Sequence, residues 1–94
     1  MLKITNILGF TNFTVTCRFN TGEIKELNLY PVITNQLHLK GMSQLLNEEV
    51  LHAAKIGKMG ELVWPSVVWS DENSAWDYDI SPEFFYEHAK SIRS

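Results

Sequence analysis

Alternation of apolar and polar residues in the first third of the chain predicts a three-stranded antiparallel meander. Residues 13–19 carry the clearest signal, because every second side chain is apolar, as on the half-buried face of a strand. Residues 2–8 and 24–30 alternate less regularly and are predicted as the flanking strands. Gly22 lies between the second and third segments, where it can adopt the positive φ of a short hairpin turn.

The third predicted strand has an irregular pattern and a defined end. Its apolar positions change phase between Ile24 and Leu27, which predicts a bulge or a local twist. Pro31 has no backbone N–H to donate to a β-ladder, so it is expected to end the strand. Residues 32–41 show no clear period and are predicted as a loop.

The spacing of apolar residues then becomes helical. Between Met42 and Ala53 they fall near one face at helical intervals, which predicts a short helix capped by Ser43 or Asn47.

Glycines within residues 57–60 predict the turn of a second, shorter hairpin over residues 55–64. Pro65 is expected to end this hairpin. Residues 67–69 can extend its last strand, and residues 70–75 are predicted as a polar loop.

The strongest local signal is a helix start at Ser81. Its hydroxyl can cap the helix, and Pro82 fits the first helical position, where no N–H is needed. Asp79 and Glu83 would lie at the positive end of the helix dipole. A helix is therefore predicted over residues 82–92. Its buried side is expected to carry Phe85, Ala89 and Ile92, and its last turn Lys90 and Arg93.

Length and composition fit one small globular domain. The chain has 94 residues, of which 45% are hydrophobic and 20% charged. We therefore expect a single α+β domain over residues 1–94, with a small antiparallel sheet made of the three-strand meander and the short hairpin, packed with two helices.

Charge is unevenly distributed along the chain. Residues 1–60 carry a balance of +2 and residues 61–94 a balance of −5. Nucleic-acid binding needs clustered basic residues. The basic residues of the first part are spaced singly: Lys3, Arg18, Lys25, Lys40, Lys55 and Lys58. Nucleic acid is therefore disfavoured as the main partner, although a basic face on the first part stays open as an alternative.

Cys17 is the single cysteine, so neither an intrachain disulfide nor a zinc knuckle is expected, and a reducing cytoplasm fits this usage. The N-terminal residues contain no long apolar run. Neither a signal peptide nor a membrane span is predicted.

Enzymatic chemistry has little support in the sequence. Glu48 and His52 have the spacing at which two side chains can share a metal, but two ligands do not make a site, and a solvated helix face is expected. Glu83 and Glu87 are expected to be ordinary surface acids. Cys17 should lie in the core with a raised pKa. No catalytic residue, metal ligand or cofactor is predicted.

An aromatic and acidic segment in the second half is the candidate binding surface. Trp64 is expected in the core, whereas Trp69 and Trp76 stand beside polar residues. Exposed tryptophan with nearby acids suits a Lys- or Arg-rich partner. The candidate partner-binding residues are Trp69, Asp71, Glu72, Trp76, Asp77 and Tyr78. The alternative is that these rings fill the space between the sheet and the last helix.

The order of these parts resembles the domain of unknown function 2442 (DUF2442) family of small bacterial proteins. Three short motifs carry the resemblance: the hairpin around residues 19–22, the Leu-Val-Trp-Pro strand end at residues 62–65 and the Asp-Ile-Ser-Pro segment at residues 79–82. The resemblance implies a cytosolic α+β domain without an established activity, and a companion of small proteins such as those of suspected toxin–antitoxin pairs. Residues 66–78 depart from the family pattern by inserting two tryptophans and several acids.

The sequence leaves three functional hypotheses. The first is a non-catalytic interaction domain that docks a protein partner, or its own copy, through residues 69–78. The second is a regulatory nucleic-acid contact through the basic residues of the first part. The third is a small enzyme that uses the Glu48 and His52 pair or paired carboxylates.

Overall fold

The computed structural model describes residues 1–72 and 74–92, and this part of the chain folds into seven strands and three α-helices. The strands are β1 (Ile4–Thr11), β2 (Thr14–Phe19), β3 (Ile24–Asn28), β4 (Lys55–Ile56), β5 (Leu62–Trp69), β6 (Ala75–Ile80) and β7 (Lys90–Ile92). The helices are α1 (Tyr30–Thr34), α2 (Glu48–Leu51) and α3 (Pro82–His88), and a 3-10 helix (Met42–Leu46) precedes α2.

The strands form two antiparallel sheets. The larger has the order β1-β2-β3-β7, and the smaller has the order β4-β5-β6. The predicted α+β fold is therefore confirmed, including the three-strand meander (β1 to β3) and the short hairpin (β4 and β5). No helix of the described residues is long and apolar enough to cross a membrane.

One hydrophobic cluster joins the two sheets and the helical segments. Its largest fully buried rings are Trp64, Phe19 and Phe85, and those of Phe19 and Phe85 meet edge to face with centroids 5.6 Å apart. Cys17 is completely buried in this cluster. Burial raises the pKa of its thiol to about 12, as expected for a cysteine that acts as a small apolar side chain.

The meander is confirmed, but two of its details differ from the sequence prediction. β1 continues through Gly9 to Thr11, and the register of its pairing with β2 shifts at two places. Of the bulge or local twist predicted in the third strand, the bulge is wrong, because β3 pairs with β2 in unbroken register. The apparent change of phase arises from Lys25, which occupies a buried position beside Leu27 although its side chain is charged.

Short helical turns occupy the middle of the chain. Pro31 lies in the first turn of α1, within a segment predicted as strand end and loop. The single helix expected after residue 42 is instead a 3-10 turn followed by α2, and Asn47 caps α2 by accepting the N–H of Glu49 at 3.0 Å. Gly41 precedes the 3-10 turn with a φ of 93°, which a residue with a Cβ rarely adopts.

The last helix starts where the sequence predicts and ends earlier. The Ser81 hydroxyl accepts the N–H of Phe84 at 3.1 Å, so the predicted cap is confirmed. The helix ends at His88, and Ala89 is extended. Lys90 then starts β7, which pairs with the open edge of β3, and this pairing replaces the last predicted helical turn. The expected position of Arg93 in that turn lies outside the described residues.

Candidate functional site

The β5–β6 hairpin contains all six candidate residues. As predicted, residues 67–69 extend the strand of the second hairpin, but β5 continues through Pro65, which was expected to end it, and residues 75–80 form β6. Residues 62–64 pair with residues 78–80, and Val68 and Trp69 pair with Trp76 and Ala75. Residues 70–72 and 74 lie between the two strands, and Asn73 lies outside the described residues. The N–H of Ser70 donates to the carbonyl of Ser74 at 2.9 Å. The Ser70 hydroxyl accepts the N–H groups of Glu72 at 3.3 Å and Ser74 at 3.2 Å, which fixes the turn.

A bulge divides the hairpin into an inner and an outer half. Trp64 pairs with Tyr78, and the next pair is Val68 with Trp76, so three residues of β5 oppose one residue of β6. Ser66 lies in this bulge with a φ of 57°. Its N–H donates to the Asp77 carboxylate at 3.0 Å, and this hydrogen bond holds the irregular backbone in place.

On one face of β6, side-chain exposure increases from Ile80 to Trp76. Successive side chains of a strand point to opposite faces, so Ile80, Tyr78 and Trp76 share one face. Ile80 is buried, Tyr78 is half-buried and Trp76 is 62% exposed. The Tyr78 ring lies 5.9 Å from that of Trp64, measured between centroids. The ring of Trp76, near the start of β6, therefore lies outside the core.

Trp69 lies on the other face of the hairpin. It pairs with Ala75, whereas Trp76 pairs with Val68, and adjacent pairs point to opposite sides of a sheet. The N–H of Trp69 donates to the carbonyl of Lys40 at 2.8 Å, and its ring lies against Gly41. Trp69 is 40% exposed. The six candidate residues are thus close in space but do not form one continuous face.

The acidic residues of the hairpin are exposed, and they lie both in the turn and along β6. Asp71 and Glu72 lie in the turn, and Asp77 and Asp79 share the face of β6 opposite Trp76. Within residues 1–72 and 74–92, no basic side chain forms an ion pair with any of them. The hairpin therefore combines exposed aromatic surface with uncompensated negative charge.

An open cleft of about 760 Å³ lies beside the inner half of β6, between α1 and α3. Tyr78 and Phe84 contribute rings to its wall, and Asn28 and Gln36 contribute polar groups. Burial, together with the neighbouring Asp79 charge, raises the pKa of Tyr78 above its ordinary value. This cleft could not be predicted from the sequence, because its walls are about 50 residues apart in the chain.

The other candidate groups are not assembled into a site. Glu48 Oε1 lies 3.9 Å from His52 Nε2, and the same nitrogen is 2.9 Å from the carbonyl oxygen of Asn12. Glu83 and Glu87 are exposed on α3. In the described part of the chain, no three His, Cys, Asp or Glu residues could hold a metal ion together.

One of the six basic residues in residues 1–60 is buried and bound within the fold. Lys25 is only 8% exposed, and its Nζ donates to the carbonyl oxygen of Tyr86 at 2.9 Å while lying 3.8 Å from the centre of the Tyr86 ring. This lysine therefore attaches α3 to the sheet and has no free charge for a phosphate. The other five basic residues of residues 1–60 are exposed.

Sequence reasoning missed β6, although a signal was present. Residues 76–80 alternate aromatic or aliphatic side chains with aspartates, which is the period of a strand with two unlike faces. The predicted loop covered residues 70–75, and no element was assigned to residues 76–78. Aspartate is depleted in strands, which weakens this signal.

No protein-family model, curated protein sequence or solved structure matches the chain. The resemblance to the DUF2442 family therefore stays a prediction.

Proposed function

We propose that the chain is a non-catalytic protein–protein interaction domain that binds its partner through the β5–β6 hairpin. A small companion protein, such as a member of a toxin–antitoxin-like pair, is the class of partner that the sequence resemblance implies. The observation that carries the proposal is the 62% exposure of Trp76 at the outer half of an edge strand.

Trp76 supports this function because an exposed indole ring is costly to leave in water. Burial of apolar area stabilises a complex by about 25 cal/mol per Å², and tryptophan is enriched among the residues that dominate binding energy. The ring lies outside the hydrophobic core, whose largest fully buried side chain is Trp64. Its neighbours Asp71 and Glu72 would favour a partner with positive charge.

Affinity capture from a lysate of the native host tests the proposal. Wild-type protein is compared with Trp76→Ala and with Met59→Ala, a matched loss of an exposed apolar side chain in the β4–β5 turn, where Met59 is 55% exposed. We expect specific partners to be lost with Trp76→Ala, since truncation of a central interface tryptophan costs about 2 kcal/mol or more. The Met59 variant should retain them.

Two results would contradict the proposal. One is retention of every captured protein by both Trp76→Ala and the double variant Trp69→Ala/Trp76→Ala. The other is salt-sensitive retention of nucleic acid as the main captured component, which would favour the basic residues of the first part.

A further inference from the structure

We infer that the partner binds as an extended segment added to the free edge of β6, with apolar side chains on one face and Lys or Arg side chains on the other. This inference rests on the proposed function and specifies its mode of recognition. The proposed partner segment alternates apolar and basic residues, which is a narrower class of partner than basic proteins in general.

The edge of β6 is open. In the described residues β6 has a strand neighbour on one side only, which is β5. An edge strand presents unpaired N–H and C=O groups that can pair with an incoming strand. The cleft beside Tyr78, Asp79 and Ile80 leaves space along the inner part of this edge. An added strand would therefore meet backbone partners without displacing any described element from β6.

The two faces of β6 determine the pattern of the incoming side chains. A residue that faces Trp76 and Tyr78 would lie against aromatic rings, and the next residue would face Asp77 and Asp79 on the opposite side. Apolar side chains fit the first face. Lys or Arg fits the second, because both aspartates are exposed and neither has a basic partner in the described residues.

The cleft gives the apolar face a place for a larger side chain. Phe84 is 38% exposed on its wall and stacks on His88 with centroids 4.1 Å apart. Tyr78 lines the same space from the strand. An apolar side chain opposite Tyr78 can therefore enter between the strand and α3, where it is removed from water.

A second copy of the chain is a poor occupant of this edge. Two β6 strands related by a two-fold axis would pair in antiparallel fashion with like faces together. The registers of greatest overlap would put Asp77 opposite Asp77 or opposite Asp79 of the other copy. Like charges placed directly opposite each other are destabilising. Charge complementarity therefore favours a basic segment over self-association.

Selection from a random dodecapeptide library on the immobilised full chain tests the inference. We expect the selected peptides to alternate apolar residues with Lys or Arg. Three synthetic derivatives of the strongest binder separate the contributions of main-chain hydrogen bonds, charge and residue order. They carry N-methyl groups at alternate residues, Glu in place of each basic residue, or the same composition in scrambled order. Affinity is measured by the change in tryptophan fluorescence and by calorimetry.

Each derivative has an expected result. N-methylation should weaken binding about tenfold or more, as expected when one or two main-chain hydrogen bonds are lost. The Glu-substituted and scrambled peptides should lose at least as much affinity, because the proposed contacts require both the positive charges and the alternation of residues. Trp76→Ala should weaken binding about tenfold or more, whereas Met59→Ala should leave it unchanged.

Three results would overturn the inference, and each has a different meaning for the proposed function. Binding that depends on Trp76 but is insensitive to N-methylation would reject strand addition and keep the hairpin as an interaction surface. Selected peptides without basic alternation, or no selected peptides, would reject the partner chemistry alone if host partners are still lost with Trp76→Ala. A concentration-dependent dimer abolished by Trp76→Ala would instead identify a second copy as the occupant.

Discussion

The indole Nε1 of Trp64 donates a hydrogen bond of 2.8 Å to the carbonyl oxygen of Leu51. This bond joins the central strand of the smaller sheet to the end of the one-turn helix α2. Both residues are fully or almost fully buried, so no water can replace the donor. Trp64 is therefore both the largest buried side chain and the group that positions a helix too short to be stable alone.

We expect Trp64→Phe to lower the free energy of unfolding by about 2–3 kcal/mol, because it leaves a cavity and an unpaired carbonyl. Urea denaturation followed by circular dichroism measures the change. Trp76→Phe is the matched control, and as a surface substitution it should stay within about 0.5 kcal/mol of wild type. Equal losses from the two substitutions would show that Trp64 has no special role in the core.

Gly41 should tolerate no side chain. A Cβ at this position would lie 2.1 Å from the carbonyl oxygen of Val67 and 2.9 Å from Cδ1 of Trp69, and its φ is 93°. We expect Gly41→Ala to lower the free energy of unfolding by about 3 kcal/mol, from left-handed strain and overpacking together. Gly9→Ala is the control, because no atom lies within 4 Å of a Cβ built there. A neutral Gly41→Ala would mean that the segment before the 3-10 turn can move away from β5.

Cys17 should be unreactive in the folded protein. Its side chain is fully buried, and burial raises its pKa from 9.0 to about 12, so thiolate is scarce at neutral pH. We expect a thiol reagent at pH 8 to label the native chain only as fast as it unfolds. In urea, labelling should be complete within minutes. Rapid labelling under native conditions would contradict the burial of this strand.

The Tyr86 hydroxyl donates to the Glu23 carboxylate at 2.9 Å. This hydrogen bond, with burial and the charge of Glu23, raises the pKa of Tyr86 above its ordinary value of 10.0. The folded pKa is higher than the unfolded pKa, so the stabilising contribution is complete below pH 10. It is lost as the pH rises through the folded pKa.

Glu23→Gln should therefore lower the pKa of Tyr86 and weaken this loss of stability in alkali. An NMR titration of the Tyr86 ring measures the pKa, and thermal unfolding between pH 8 and 11 measures the stability. Glu26→Gln is the control, because it removes one negative charge from the adjacent strand β3, whereas the hydroxyl of Tyr86 donates to Glu23. An unchanged Tyr86 pKa in Glu23→Gln would exclude the hydrogen bond as its cause.

Local chemistry made several features predictable from the sequence. The alternation of residues 13–19, the turn at Gly22 and the cap formed by Ser81 all depend on neighbouring residues, and all are found in the structure. The burial of Cys17 and Trp64 also matches the expectation drawn from their neighbours. The sequence left open whether Trp69 and Trp76 are exposed or fill the space beneath the last helix, and both are exposed in the structure. These signals act over a few residues, where the physical causes are present in the sequence itself.

Other features depend on contacts between distant parts of the chain. Residues 90–92 were predicted as helix, but they form β7 because β3 offers an unpaired edge, which is a gain that local spacing does not reveal. Lys25 is buried although its side chain is charged, because Tyr86, 61 residues away, supplies a carbonyl oxygen and a ring for that charge.

The candidate surface shows the same division. The sequence by itself determined that aromatic rings and acids are concentrated in residues 69–79. Only the tertiary structure decided that Trp69 and Trp76 lie on opposite faces, because the bulge at Ser66 and the pairing of β5 with β6 set the direction of every side chain in the hairpin. Register is a property of two strands together, so neither strand alone contains it.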